Sequence, residues 1–365
     1  NTWLWQALTV GLFCYLGGCA QAWITDRHII EDFHSNRYAL PALLGAAMLW
    51  VVAIEWIARN RLQKAIIISA LLGLSIIFHL RTMDDFKTIW NNQLDFFWQL
   101  SWRAPALKPG TALLTEDELF PNQGMFSTGA ALNLLYPQSS QKTDADNLDY
   151  WIYPMSSRFS TPGVSKHPLD IGLRTQFRTL KFEGKTGDSI MVYYDPQRAD
   201  CLWVLRPEDA DNPSLRTITR QVLAASNLEQ ILPEAPAEGY PPTDMFGKER
   251  PHGFCYLYEK AELARQQQDW DTLLSLSEEA NQDYSGVIDV FKTPHEWLTF
   301  VEGYARAGRW EEARDLTYTA RQIRMGEYFP YICSYWKQMS AETPDGPGKA
   351  EALQAVSAEL QCDKY

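Results

Sequence analysis

Residues 26–37, "DRHIIEDFHSNR", place Asp26, His28, Glu31, Asp32 and His34 in a short polar segment between two strongly apolar stretches. Carboxylates and imidazoles brought together at a membrane face could supply a general base, or ligands for a cation, at a lipid-linked substrate. Loops that join membrane helices are also polar for solvation alone, so Asp26, His28, Glu31 and Asp32 stand as candidates without an assigned reaction.

Other chemistry-bearing patterns resolve into structure. "FEGKTGDS" at 182–189 has the look of a phosphate loop, but Thr179 stands where its first glycine belongs and a strand rather than a helix is predicted to follow Lys185. A hairpin turn is the expectation there. The pairs Asp144/Asp146 and Asp209/Asp211 imitate acids that hold a metal-bound nucleotide sugar, yet both sit in polar connectors and read as solvated turns. His252 and Cys255 have ligand-like spacing without a second pair, and no Gly-x-Ser-x-Gly elbow is present. The sequence therefore implies no metal and no cofactor.

The elements that would position these residues begin with three apolar windows, Thr2–Ile24, Ala39–Ala58 and Ala65–Leu80. About 20 apolar residues in helix cover the hydrocarbon thickness, so these windows predict membrane spans. Trp3, Trp5, Trp23, Trp50 and Trp56 fall mostly toward their ends, at headgroup level. The connector Arg59–Lys64 holds three cations in six residues and is assigned to the cytoplasmic side, which puts the 26–37 loop and everything after Leu80 outside. Glu55, four residues before Arg59, is expected to pair with it along one helix.

Charge divides the chain in the same way. Residues 1–82 carry six basic and four acidic side chains, whereas 83–365 carry 27 basic and 41 acidic, a net of -14. Nucleic acid needs clustered Lys and Arg and is excluded as a partner. The chain begins at Asn1 rather than Met and is read as a processed or truncated piece of something longer.

Residues 82–102 show an aromatic face at helical spacing, with Thr82 and Asp85 as a capping box, and predict an amphipathic helix of their own. From Thr111 onward the sequence mixes "TALLT", a helix in "STGAALNLLY" capped by Ser127, "DYWIY", and the strands "QFRTLKF", "SIMVYY" and "CLWVL". "LRTITRQVLAASNLEQIL" is expected to close this α/β region as one amphipathic helix. In an outside location Cys201, Cys255, Cys333 and Cys362 are free to form disulfides. Cys333 and Cys362 in particular occupy neighbouring places in an antiparallel helical hairpin. Cys14 and Cys19 lie in the first span.

After His252, "LARQQQDWDTLLSLSEEA" aligns with "GYARAGRWEEARDLTYTA", matching Trp270 with Trp310, Leu273 with Ala313, Leu276 with Leu316 and Ala280 with Ala320. This pattern resembles the tetratricopeptide helical hairpin over residues 252–325, at an interval longer than that family uses. Both Trp270 and Trp310 are expected to be core residues. "RYALPAL" at 37–43, leading into the second window, resembles the protein mannosyltransferase-like membrane enzymes that use lipid-phosphate sugar donors. That resemblance implies a catalytic acid in a loop upstream of Asn1.

The expected architecture is thus multi-domain: transmembrane α-helices over 1–82, an amphipathic connecting helix over 83–103, a small α/β domain over 104–235 and a short tetratricopeptide-like α-helical solenoid over 236–365. The expected function is a membrane-anchored extracytoplasmic module, held in the lipid bilayer and binding a protein or glycan partner at the helical repeats. The alternative is the C-terminal portion of a polytopic glycosyltransferase.

Overall fold

The structure is a computed structural model that describes residues 2–27, 36–120, 123–136, 147–155, 171–234, 241–287, 289, 292–323 and 326–365. The chain divides into two compact units, Asn1–Trp90 and Asn91–Tyr365.

In the first unit α1 (Thr2–Ile24) packs along α2 (Leu40–Ile57). Small residues set the approach: a Cβ on Gly45 would run into the backbone of Tyr15, and one on Gly18 into that of Ala42. Pro41 lies in the first turn of α2, where its missing N–H removes no helical bond. The third helix, α3 (Arg61–Arg103), carries the third apolar window. All three helices are long and apolar enough to cross a membrane. Glu55 pairs with Lys64 at 2.5 Å rather than with Arg59, because the connector turns back and brings α3 to the end of α2.

The separate helix expected after Leu80 does not exist, since α3 runs through it. Between Gly73 and Arg103 the sequence has no Gly or Pro to stop it, and the Thr82 hydroxyl bonds back to the Phe78 carbonyl as in a helix interior. Pro105 ends it. The part of α3 in the second unit buries Phe96, Phe97 and Leu100.

That unit continues with β1 (Ala106–Leu107), β2 (Ala112–Thr115), α4 (Met125–Leu135), β3 (Asn147–Leu148), β4 (Trp151–Pro154), β5 (Gly172–Phe177), β6 (Leu180–Lys185), β7 (Ser189–Tyr193) and β8 (Trp203–Leu205). The main sheet has the order β4-β2-β7-β8, with β2 parallel to both neighbours and β8 antiparallel at one edge. Its strands are buried on both faces, which is why they read as unbroken apolar runs. Gly129 lets α4 settle directly on the Trp151 ring. The helix starts earlier than expected, with Gly124 rather than Ser127 at its N-cap.

"QFRTLKF" is a hairpin and not one strand: β5 and β6 turn at Arg178, whose φ is 58°. "GKTG" correspondingly is no hairpin turn but a 3₁₀ turn that carries the chain from β6 to β7 in the other sheet. The expected long closing helix is also broken. It becomes α5 (Thr217–Val222), two 3₁₀ turns and β9 (Ile231–Leu232), which pairs antiparallel with β1. Ser226 explains the break, because its hydroxyl donates to the Leu205 carbonyl and accepts from Met191 N–H, work for the sheet rather than for a helix. Asn227 then caps the next turn through Glu229 N–H.

The remaining helices are α6 (Thr243–Phe246), α7 (Phe254–Gln267), α8 (Trp270–Tyr284), α9 (His295–Arg306), α10 (Trp310–Ala320), α11 (Phe329–Glu342) and α12 (Lys349–Leu360). Neighbours in sequence from α7 to α10 pack on one another, α9 also meets α7 and α11, and α12 packs on α10 and α11. The turns before Trp270 and Trp310 both use a left-handed residue, Gln268 at φ 58° and Gly308 at φ 75°. Trp310 is 2 % exposed, whereas Trp270 is only partly buried under the Arg306 guanidinium. Disulfides join Cys201 to Cys255 and Cys333 to Cys362, with Cα separations of 5.2 and 5.6 Å.

Candidate functional site

Asp26, the first acid of the loop constellation, is exposed at the end of α1 with φ 52°. His28, Glu31, Asp32 and His34 lie outside the described residues, as do Asp144 and Asp146. The loop's cations are placed: the Arg27 and Arg37 guanidiniums sit 5.9 and 5.2 Å from the centre of the Tyr38 ring.

Asp209 is not in a solvated turn. It is 2 % exposed, accepts the Arg206 backbone N–H at 2.7 Å and receives the Tyr331 hydroxyl at 3.2 Å. His252 and Cys255 do not act together either: Cys255 is in a disulfide, and His252 faces Glu249 at 3.0 Å while stacking on Tyr256. Among the described residues no group of three or more His, Cys, Asp or Glu could hold a metal ion.

Asp209 belongs to a buried ionic network that ties the α/β region to the helices. Arg265 of α7 bonds Glu262 on its own helix, Glu302 of α9 at 3.4 Å and the Tyr335 hydroxyl of α11 at 3.0 Å. Glu262 also accepts from Thr299, and Arg306 bonds Glu302 at 2.8 Å. Burial works to raise the pKa of Asp209, Glu262 and Glu302, but the facing guanidiniums outweigh it and hold all three below the usual carboxylate range. His295, buried beside them, has its pKa lowered by that burial and donates to or accepts from the Tyr331 hydroxyl at 2.7 Å. Glu259 is different: it is fully buried, burial pushes its pKa well up, and the nearby Arg103 only partly offsets this. With Arg206, Arg265 and Arg306 each paired with a carboxylate, the cluster is a scaffold for the helices.

A cleft of about 700 Å³ lies elsewhere in the same unit. Asn91, Asp95, Gln99 and Trp102 of α3 form one wall; Arg250, Gly253, Phe254, Cys255 and Tyr256 form another, closed by Asp200, Tyr284, Asp289 and Trp297. That volume and mixed aromatic and polar lining are those of a ligand pocket. Arg250 approaches Asp95 at 2.6 Å and donates to the Asn91 carbonyl at 3.2 Å, holding α3 against the loop before α7. The Trp102 indole donates to Glu249 at 3.0 Å. The 201–255 disulfide fixes the Asp200 loop to the first turn of α7. Burial raises the pKa of Asp200, with Lys292 at 3.8 Å opposing the shift.

Beneath the cleft, Glu296 of α9 anchors the same loop. One carboxylate oxygen accepts from Asp200 N at 3.1 Å, Cys201 N at 3.4 Å and the Trp203 indole at 3.0 Å. Burial pushes this carboxyl up to about 7.

The sequence reading missed this cleft because it followed the aromatic face of residues 82–102. Asn91, Asp95 and Gln99 recur at intervals of four, a polar stripe on that helix legible by the same rule. Asp200 and Trp297 come from distant segments and carried no local signal. Comparison of the chain with known protein families, with curated proteins and with solved structures gave no match.

Proposed function

We propose that the chain is a membrane-anchored binding module whose second unit, Asn91–Tyr365, faces the extracytoplasmic side and holds a partner in the cleft. One observation carries this reading: α3 contains the third apolar segment and, further along, contributes Asn91, Asp95, Gln99 and Trp102 to the cleft wall. The helix that carries the third apolar segment thus continues into the unit that holds the cleft, so the anchor and the site share one element. The three cations at Arg59, Arg61 and Lys64 support the orientation.

Single cysteines at Gln63 and Ser275, both exposed, test it. In intact cells an impermeant thiol reagent should label Ser275→Cys and spare Gln63→Cys until the membrane is opened. The reverse pattern, or release of the chain by alkaline carbonate, would overturn the reading. Ser277, two residues on, is unsuitable because it is fully buried and bonded to the Leu273 carbonyl.

A further inference from the structure

The cleft's occupant can be narrowed from its own lining. Gln99 is 7 % exposed, and its carbonyl oxygen accepts the Leu202 N–H at 2.6 Å. Its amide nitrogen donates to no acceptor among the described residues, so a buried side chain that lines the cleft offers it two N–H groups. A ligand carbonyl would satisfy them.

The lining includes the carboxylates Asp95 and Asp200 and one guanidinium, Arg250. Arg250 is committed to Asp95 and Asn91. Lys292, beside the cleft, directs its ammonium to the Pro196 carbonyl at 2.5 Å and the Ala199 carbonyl at 3.3 Å, and its ion pair with Asp200 is long, at 3.8 Å, leaving that side chain 43 % exposed. A cation entering the cleft gains from this field. Phe254 and Tyr284 are only partly buried and give an aliphatic stem, or a cation, a ring surface to lie on.

We propose that the cleft binds a basic polypeptide segment, with a Lys or Arg side chain directed at Asp200 and a backbone carbonyl taken by the Gln99 amide. This rests on the second unit being a binding module. A neutral saccharide would use the rings and the Gln99 amide but would leave the acidic lining without a role.

The test uses the full chain in nanodiscs of zwitterionic lipid and a fluorescent Gly-Lys-Gly-Lys-Gly peptide with blocked ends, read by anisotropy. Saturable binding is expected, weakened by added salt, and lowered roughly tenfold or more by Nζ-acetylation of the peptide or by Asp200→Asn, one tenfold step being about 1.4 kcal/mol. Acetylation alters only the ligand, so the result stands whether or not the variant folds. Equal binding of the acetylated peptide, or no binding of the basic peptide at millimolar concentration, overturns the proposal. Binding of a neutral N-acetylglucosamine trisaccharide in place of the peptide overturns the ligand class while leaving the module reading standing. Failure of the module reading appears instead in the cysteine-labelling pattern.

Discussion

Trp203 donates its indole N–H to Glu296 at 3.0 Å, at a point where both side chains are fully buried. The bond joins β8 to α9, and the same carboxylate oxygen fixes the backbone of the Asp200 loop. Asp200 is the acid that faces Glu296 from this loop, and Glu259 and Glu262 of α7 lie in the same buried region.

Glu296 makes stability depend on pH. Its carboxyl titrates near its ordinary 4.5 in the unfolded chain and at about 7 in the folded one. Between those values the folded state holds more protons, so its stability falls as pH rises from about 4.5 to about 7 and then levels off. The full effect is about 3 kcal/mol. Glu296→Gln keeps an acceptor for the three donors and removes the titration. Denaturation of both proteins at several pH values should show the variant gaining on wild type across this window; parallel curves would show that Glu296 does not titrate there.

The two tryptophans expected to be equivalent should differ. Trp310, at 2 % exposure, is core, and Trp310→Ala should cost about 3 to 5 kcal/mol. Trp270 lies partly open with Arg306 4.6 Å from its ring centre, so Trp270→Ala should cost roughly 1 to 2 kcal/mol. Equal losses in chemical denaturation would contradict the burial assigned here.

Cys333 and Cys362 close a loop across 29 positions between α11 and the end of the chain. Constraining such a loop in the unfolded chain stabilises by roughly 3 to 4 kcal/mol on the chain-entropy model. Cys333→Ser should lose about that much, and non-reducing peptide mapping of the wild type should recover the two peptides linked. Recovery of both as free thiols would remove the bridge.

Gly303 of α9 lies against Ser277 of α8 so closely that an added Cβ would collide with the Ser277 hydroxyl. Gly303→Ala should therefore destabilise by about 1 to 3 kcal/mol, the range for overpacking. Adding Ser277→Gly should return part of the loss, and additive losses in that double-mutant cycle would show that the two residues do not meet.

Local signals carried much of the fold. The apolar windows, "TALLT" and the helices around Trp270 and Trp310 appear as elements where the sequence placed them: the windows by length and composition, the strand by its apolar run, and the two helices by a periodicity that coincides with burial. The failures share one cause, which is side chains answering to distant partners. Ser226 serves β7 and β8, so its segment leaves the helix that its apolar spacing favours. Asp209 looks like a turn acid until Arg206 and Tyr331 enclose it. The cleft was hidden for the same reason, since only folding brings Asp200 and Trp297 to the polar stripe of α3.

The ionic network also sets a timetable for making this protein. Asp209 meets Tyr331 across 122 positions of sequence, and Trp203 meets Glu296 across 93. A nascent chain that ends before α9 has the strands of the α/β sheet but lacks Thr299, Glu302 and Tyr335, the groups of α9 and α11 that bond Glu262 and Arg265. Ribosomes add about 5–20 residues per second, so roughly 6–25 s separate synthesis of Asp209 from that of Tyr331. Until then Asp209 is without its Tyr331 partner, and Trp203 waits likewise for Glu296.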